Sequence, residues 1–241
     1  TWSTDLTFST YNDRWKERDP NWKPAAYQKE QDPIRGVFAY VADGLLQPGE
    51  EAPAHQPQLL PGQVKLKNIN GDDKLNEEDM VLIGRNDPKF IFGFNNNFSY
   101  KNFDLNIYMY GQVGKIAGAN SYYDAWGSYG NRIKLGQNVP VSFKDAWSSD
   151  NQTSTRPSFI ESAYGTGDLF LQKISFLRIR NITLGYTVPI SKSICNRLRV
   201  YADVNNPCVW TNWKGQDPET DSNTNAYPNV TSFSIGVDIS F

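Results

Sequence analysis

The chain has 241 residues, with 7 Trp, 13 Tyr, 13 Phe, 18 Gly, 14 Pro, 23 Asn and 2 Met, a mixture suited to strands and polar loops over helices. Its 24 Lys and Arg nearly cancel 26 Asp and Glu, and a net charge of −2 offers no field for gathering nucleic acid, so no nucleic-acid partner is expected. Two cysteines and one histidine exclude a Cys/His zinc site, a multi-His metal centre and a disulfide framework. No apolar run exceeds that from Val37 to Ala42, far short of the roughly 20 residues of a membrane helix; alternating membrane strands escape such a test.

In chain order, the first candidate strand is 2–10, with Trp2, Thr4, Leu6 and Phe8 on one parity. A second is 35–42, and both are weaker than the segments that follow. His55 lies in the Gln- and Pro-rich stretch Ala52 to Pro61 and reads as a solvated loop residue. Segments 90–100 and 103–113 carry the clearest early alternation. Phe90, Phe92, Phe94, Phe98 and Tyr100 share a face, interrupted by Asn96, and Phe103, Leu105, Ile107, Met109 and Val113 share the next, with Lys101-Asn102 as a two-residue hairpin. Segment 172–188 changes phase, because Leu177 and Ile179 lie on one parity and Ile182, Leu184, Tyr186 and Val188 on the other; a bulge near Arg180-Asn181 explains the switch. Segment 197–205 alternates again, and 231–241 places Phe233, Ile235, Val237, Ile239 and Phe241 on one face against Ser232, Ser234, Gly236, Asp238 and Ser240.

These segments approach the nine to eleven residues with which a tilted strand crosses a bilayer. Their connections also alternate: 101–102 and 189–196 are short, while 43–89, 114–171 and 206–230 are long. Loops longer than about 15 residues are uncommon in soluble sandwiches, whereas outer-membrane barrels join strands by short inner turns and long outer loops. The expected fold is therefore all-β: antiparallel transmembrane barrel strands with long extracellular loops. If strand 231–241 ends at the inner rim, counting back places strand 2–10 running downward and the amino end at the outer surface. The count of about seven strands is odd, and closed bacterial barrels are even, so residues 1–241 read as the C-terminal part of a larger barrel.

The residues also carry a family resemblance. Ile174-Ser-Phe-Leu-Arg-Ile-Arg-Asn-Ile-Thr-Leu-Gly-Tyr-Thr-Val-Pro189 resembles a strand of the SusC/RagA-type TonB-dependent outer-membrane transporters nearly letter for letter. Asn205-Asn206, Trp210-Thr211, Gly215, Asp217-Pro218-Glu219 and Tyr227-Pro228 follow that family's order, as do Pro61-Gly62, Asn70-Gly71-Asp72, Asp79, Ile83-Gly84 and the ending Phe233 to Phe241. The resemblance implies a plugged barrel of roughly 22 strands, located in the bacterial outer membrane, with a SusD-like surface lipoprotein over its mouth. It implies import of oligosaccharides or peptides, driven through a TonB complex that contacts an N-terminal segment. Neither that segment nor the plug is found among these residues.

The terminal strand, with Phe233, Ile235, Val237, Ile239 and Phe241, resembles the signal read by the barrel-assembly machinery; an exposed strand edge can add to another sheet, and its side chains can equally face lipid. Loop aromatics Trp126, Trp147, Trp210 and Trp213, with Tyr122, Tyr123 and Tyr129, are candidate sugar-stacking contacts, weighed against loop packing. Asn68, Asn70, Asp72, Asn76 and Asp79 place oxygens at positions 1, 3, 5, 9 and 12 of a calcium-type loop, with the Lys74 carbonyl as a further ligand. Asn68 in place of Asp, Asp73 in place of Gly and Asp79 in place of Glu depart from that pattern, and the bland reading is an Asx-rich turn. No other cofactor is expected. Asp217-Pro-Glu219 reads as a turn, and Cys195 and Cys208, at opposite ends of a strand, are not expected to pair. No carboxylate pair is set apart by spacing or an apolar environment, so the chain is not expected to be an enzyme. The alternative function is a soluble glycan-binding β-sandwich.

Overall fold

The computed structural model describes residues 1–118, 135–136, 138, 141–159, 162–190, 195–220 and 226–241. Six long strands form one antiparallel sheet: β1 (Trp2–Thr10), β6 (Phe90–Tyr100), β7 (Phe103–Gly118), β8 (Leu171–Val188), β9 (Arg197–Thr211) and β10 (Ser232–Ser240), in the order β1-β6-β7-β8-β9-β10. Between β1 and β6 lie four short strands, β2 (Gly36–Ala39) paired with β5 (Val81–Arg85), and β3 (Ala42–Leu45) paired with β4 (Val64–Leu66). Segment 35–42 is thus not a wall strand. Its four paired residues reach only about 13 Å at 3.3 Å each, and they belong to the outer loops. Among the described residues the wall has six strands where about seven were expected, so an odd count no longer speaks for missing strands. With 35–42 removed, β1 runs parallel to β9 and its amino end lies at the short-turn rim, not at the outer surface.

Register makes one face of this sheet continuous. Across the strands, apolar rows run Val188–Leu198–Ile239, then Tyr100–Phe103–Tyr186–Val200–Val237, then Trp2–Phe98–Leu105–Leu184–Ala202–Ile235. Further rows follow: Ile107–Ile182–Val204–Phe233, Leu6–Phe94–Met109–Ile179–Cys208, Phe8–Phe92–Gly111–Leu177–Trp210, and Thr10–Phe90–Val113–Ser175. Six two-residue steps cover about 40 Å of strand at 3.3 Å per residue, or about 30 Å at a 40° tilt, the thickness of a bilayer core. Asn96 interrupts this face beside Thr4, whose hydroxyl donates to the Asn96 amide oxygen at 2.8 Å, so each polar group answers the other. No second sheet covers the face among the described residues; Phe233 is 77% and Ile235 88% exposed. The soluble sandwich, which needs that face buried, is overturned by this arrangement.

The rows stay aligned because bulges absorb phase changes. One falls at Arg180 of β8, skipped in the pairing with β7 between Tyr108 and Met109 and with β9 between Ile179 and Asn181, as the alternation requires, and another lies in β7 between Val113 and Lys115. The Tyr100–Phe103 pairing confirms the two-residue hairpin, with Lys101 at φ 53°.

All three long connections leave the same end of the sheet, and there they fold into a cap. Leu45, Val64 and Leu66 form one buried cluster, against which Trp147, Tyr164 and Leu169 pack; Ala117, Phe143, Ala146, Ile174 and Trp213 form another. The segment around His55 belongs to this cap and is not a solvated loop: His55 Nε2 lies 2.8 Å from the Leu66 carbonyl, and buried Gln56 accepts the Leu66 N–H at 2.7 Å. Gln56 satisfies the outer edge of β4, a backbone group that would otherwise be buried without a partner.

Candidate functional site

The inner face of the sheet carries what the outer face lacks. Asn106 donates to Asn95 and Asn97 at 2.7 Å each. Asp203 accepts from Asn181 at 2.5 Å and from Thr183 at 2.6 Å, with Asn205 at 2.8 Å. Arg199 of β9 reaches over β8 to Asp104 of β7, with bonds of 2.9 and 2.6 Å, and holds Asp238 of β10 at 2.9 Å. Gly185 makes that reach possible, because a Cβ there would stand 2.4 Å from the guanidinium. A hydrogen-bonded polar wall thus backs a bare apolar one.

At the outer end of this wall the β9–β10 connection turns inward onto β8. Arg178, almost wholly buried, contacts Asp217 at 2.8 Å and Glu219 at 2.5 Å, while Arg180 binds Asn206 and Asn229 at 3.1 and 3.2 Å. Asp217 also accepts the backbone N–H groups of Glu219 at 2.9 Å and Asn229 at 3.0 Å. Burial pushes the Asp217 pKa up, but these N–H groups and the Arg178 charge outweigh it and hold the carboxyl below its ordinary range. Asp217-Pro-Glu219 is a turn, as its composition suggests, and also the counter-charge of a buried arginine. That second role was hidden in the sequence, because the bulge at Arg180 disguises which face Arg178 takes. The arrangement holds a loop against the wall.

The sequence-derived candidates are dispersed by the fold. Trp126, with Tyr122, Tyr123 and Tyr129, lies outside the described residues. Trp147 packs in the cap, its ring against Gly62, and donates to Gln47 at 3.4 Å. Trp213 is buried in the second cap cluster. Trp210 stands on the outward apolar face in the row of Phe92 and Leu177, more than half exposed. Cys208 also lies in β9, facing outward opposite Ile179; it and Cys195 are both free thiols.

Asn68 to Asp79 is a closed hydrogen-bonded turn. Asp79, with no exposure, accepts the N–H groups of Ile69 at 2.7 Å and Asn76 at 3.0 Å; Asn70 accepts from Asp72 N, Asp72 from Lys74 N and Asn76 from Glu78 N at 3.0, 2.8 and 2.7 Å. The Asn68 amide oxygen accepts the Gly71 N–H at 2.7 Å. The carbonyl of Lys74 joins no described hydrogen bond of this turn. On β10, Phe233, Ile235, Val237 and Ile239 all face outward, and Phe241 follows the strand, fully in the open.

No family model matches the sequence. TonB-dependent receptor P3 of Formosa agariphila is 27% identical over 88% of this chain and 23% of that protein. TonB-dependent receptor P26 of the same organism is 28% identical over 77% of this chain and 20% of its own length. TonB-dependent receptor SusC of Bacteroides thetaiotaomicron is 27% identical over 71% of this chain and 17% of its length. The chain therefore spans about a fifth of the curated relatives it matches. A structure of the RagAB peptide transporter covers the whole chain with 27% of its own, at TM-score 0.72 and 20% identity, and the RagAB importer in an open-open state does so at 0.67. At that identity the likeness speaks for the fold.

Proposed function

We propose that this chain, which sequence and fold relate to the TonB-dependent receptors of the SusC/RagA type, forms wall and outer loops of a bacterial outer-membrane transporter. That transporter imports oligosaccharides or peptides together with a SusD-like surface lipoprotein. The observation that carries the reading is the belt of seven aligned outward rows on a sheet whose inner face is polar and whose long connections all leave one end. In water that belt is an aggregation hazard. In lipid it is the low-energy surface, while ladder hydrogen bonds satisfy the backbone and further strands close the edges at β1 and β10.

Aromatics mark both borders of the belt. Trp2 stacks on Phe98 at 6.0 Å and Phe103 meets Tyr186 with tilted rings at 4.7 Å near the short turns, while Phe8 meets Phe90 at 5.5 Å near the long loops. Such girdles sit at membrane interfaces, and Trp210 serves there rather than as a cargo contact. Cargo passes the polar face and the cap, with energy delivered by TonB and no bond broken by these residues. The outward residues of β10 double as the barrel-assembly signal. The Asn68–Asp79 turn acts structurally: a chelator leaves its amide protection unchanged, and a calcium-dependent rise in protection would overturn that assignment.

The test of function is deletion of the gene, followed by growth on single oligosaccharides and defined peptides. Loss of growth on one substrate class, with co-purification of a surface lipoprotein from the outer-membrane fraction, is the expected result. A protein that stays monomeric in water without detergent would contradict it.

A further inference from the structure

The outermost row of the belt, Thr10–Phe90–Val113–Ser175, borders a cavity of about 450 Å³ lined by Tyr11, Arg85, Asp87, Lys89, Gly114 and Lys173, among others. Lys173, on the outward parity of β8, is among its lining residues. Thr10 donates to the Lys89 carbonyl at 2.7 Å, and Lys89 N donates to Val113 O at 2.7 Å, which fixes Lys89 one residue beyond the belt, its stem lying over Gly114. Lys173 is two residues beyond Ser175 on the same parity, paired with Ile116, and exposed.

The charges in this cavity do not balance. Asp87 is held by Arg35 at 2.9 Å and faces Arg85 at 3.9 Å, and Arg85 is also paired with Asp13, so both carboxylates are already answered by guanidinium groups. Lys89 and Lys173 have no ion-pair partner among the described residues. Two uncompensated ammonium groups therefore sit immediately outside an apolar belt of bilayer thickness, at the depth where lipid headgroups carry their phosphates. A lysine offers a phosphate a compact point charge, and its carbon stem can lie along apolar surface while the head stays at the interface.

We infer that this cavity is a binding site for the phosphate of an anionic lipid headgroup, with Lys89 and Lys173 as the charged contacts and the rows of Phe8, Phe90 and Phe92 beneath the acyl chains. The inference rests on the membrane reading above. Failure of that reading would appear separately, as absence of the protein from the outer-membrane fraction.

The test uses the full-length protein in detergent, delipidated and then offered lipid A carrying its phosphates, or the same lipid A after phosphatase treatment, with retention read by native mass spectrometry. The wild type is expected to favour the phosphorylated form about tenfold, and K89Q/K173Q to lose most of that preference, while K144Q in the cap keeps it. Millimolar inorganic phosphate is expected to leave the bound lipid in place. Equal retention of the two lipids by the wild type, or unchanged preference in K89Q/K173Q, would overturn the assignment. So would displacement by inorganic phosphate, which would make this a site for free anions. The wild-type comparison needs no variant to fold.

Discussion

Wall and cap obey opposite rules. In the wall apolar side chains stand in the open, Ile235 at 88% exposure among them, and the ordered polar networks lie on the inner face; in the cap Val64 and Leu66 are 1% exposed and Asp79 is sealed. The cap has a core of the ordinary soluble kind. The wall has none, and its apolar surface requires lipid as a solvent. One chain thus folds against two media, with the last apolar row at Thr10 and Phe90 as the border.

The cap is disrupted most forcefully at Arg178. Arg178→Ala leaves Asp217 buried without its counter-charge, and is expected to cost the local structure about 3–5 kcal/mol; hydrogen exchange across 212–220 should rise to match, while exchange in β10 stays as it was. Leu66→Ala opens a cavity in the cap and should cost about 2–5 kcal/mol, seen as faster proteolysis between β3 and β4. From the wall side, Ile235→Arg places a charge on the lipid face and should cost about 2–4 kcal/mol in folding into vesicles; Ser234→Arg, one residue away on the polar face, should cost little. The same pair in the cap-like logic of a soluble protein would give the opposite order.

Acidification probes the cap latch more gently. Asp217 is held below its ordinary carboxyl pKa, so its contribution is complete above the unfolded value of about 3.9 and fades as pH falls through the lower folded value. Protection of 212–220 should be flat from neutral pH to about pH 5 and fall below about pH 4. In Asp217→Asn it should be reduced already at neutral pH and lack this step. The smallest effect is expected from Asn76→Ala, which removes the side-chain acceptor for Glu78 N at the short turn before β5 and should cost about 1 kcal/mol, read by exchange at Glu78 and Asp79.

Much of the wall was legible in the sequence because its signal is local. Strict alternation in 231–241 and 90–113, and the broken phase at Arg180-Asn181, follow from a period of two and one inserted residue. The outer ends of β7 and β9 were not legible. Gly114 and Asn206 take positive φ, at 84° and 50°, and reset the parity there, so the strands continue to Gly118 and Thr211 past the point where alternation stops. Segment 35–42 misled for a different reason: residues 36–42 are half-buried on both parities, with Ala39 buried, so Val37 to Ala42 shows no choice of side. The Arg178–Asp217 contact joins residues 39 apart through a loop, and no spacing rule reports such a pair. The aromatics chosen as cargo contacts were separated by the same fact, since Trp147 and Trp213 serve the cap and Trp210 the outer wall.

The alternation of β10 turns its odd-numbered residues toward lipid and its even-numbered ones away from it. Its most direct test is spin-label accessibility, scanned one residue at a time from 232 to 240 in the full-length protein reconstituted into bilayers, with Cys195 and Cys208 replaced by Ser. Labels at 233, 235, 237 and 239 should collide with oxygen, and those at 234, 236 and 238 with a water-soluble nickel chelate, giving a period of two. Uniform chelate accessibility along the strand would contradict the account.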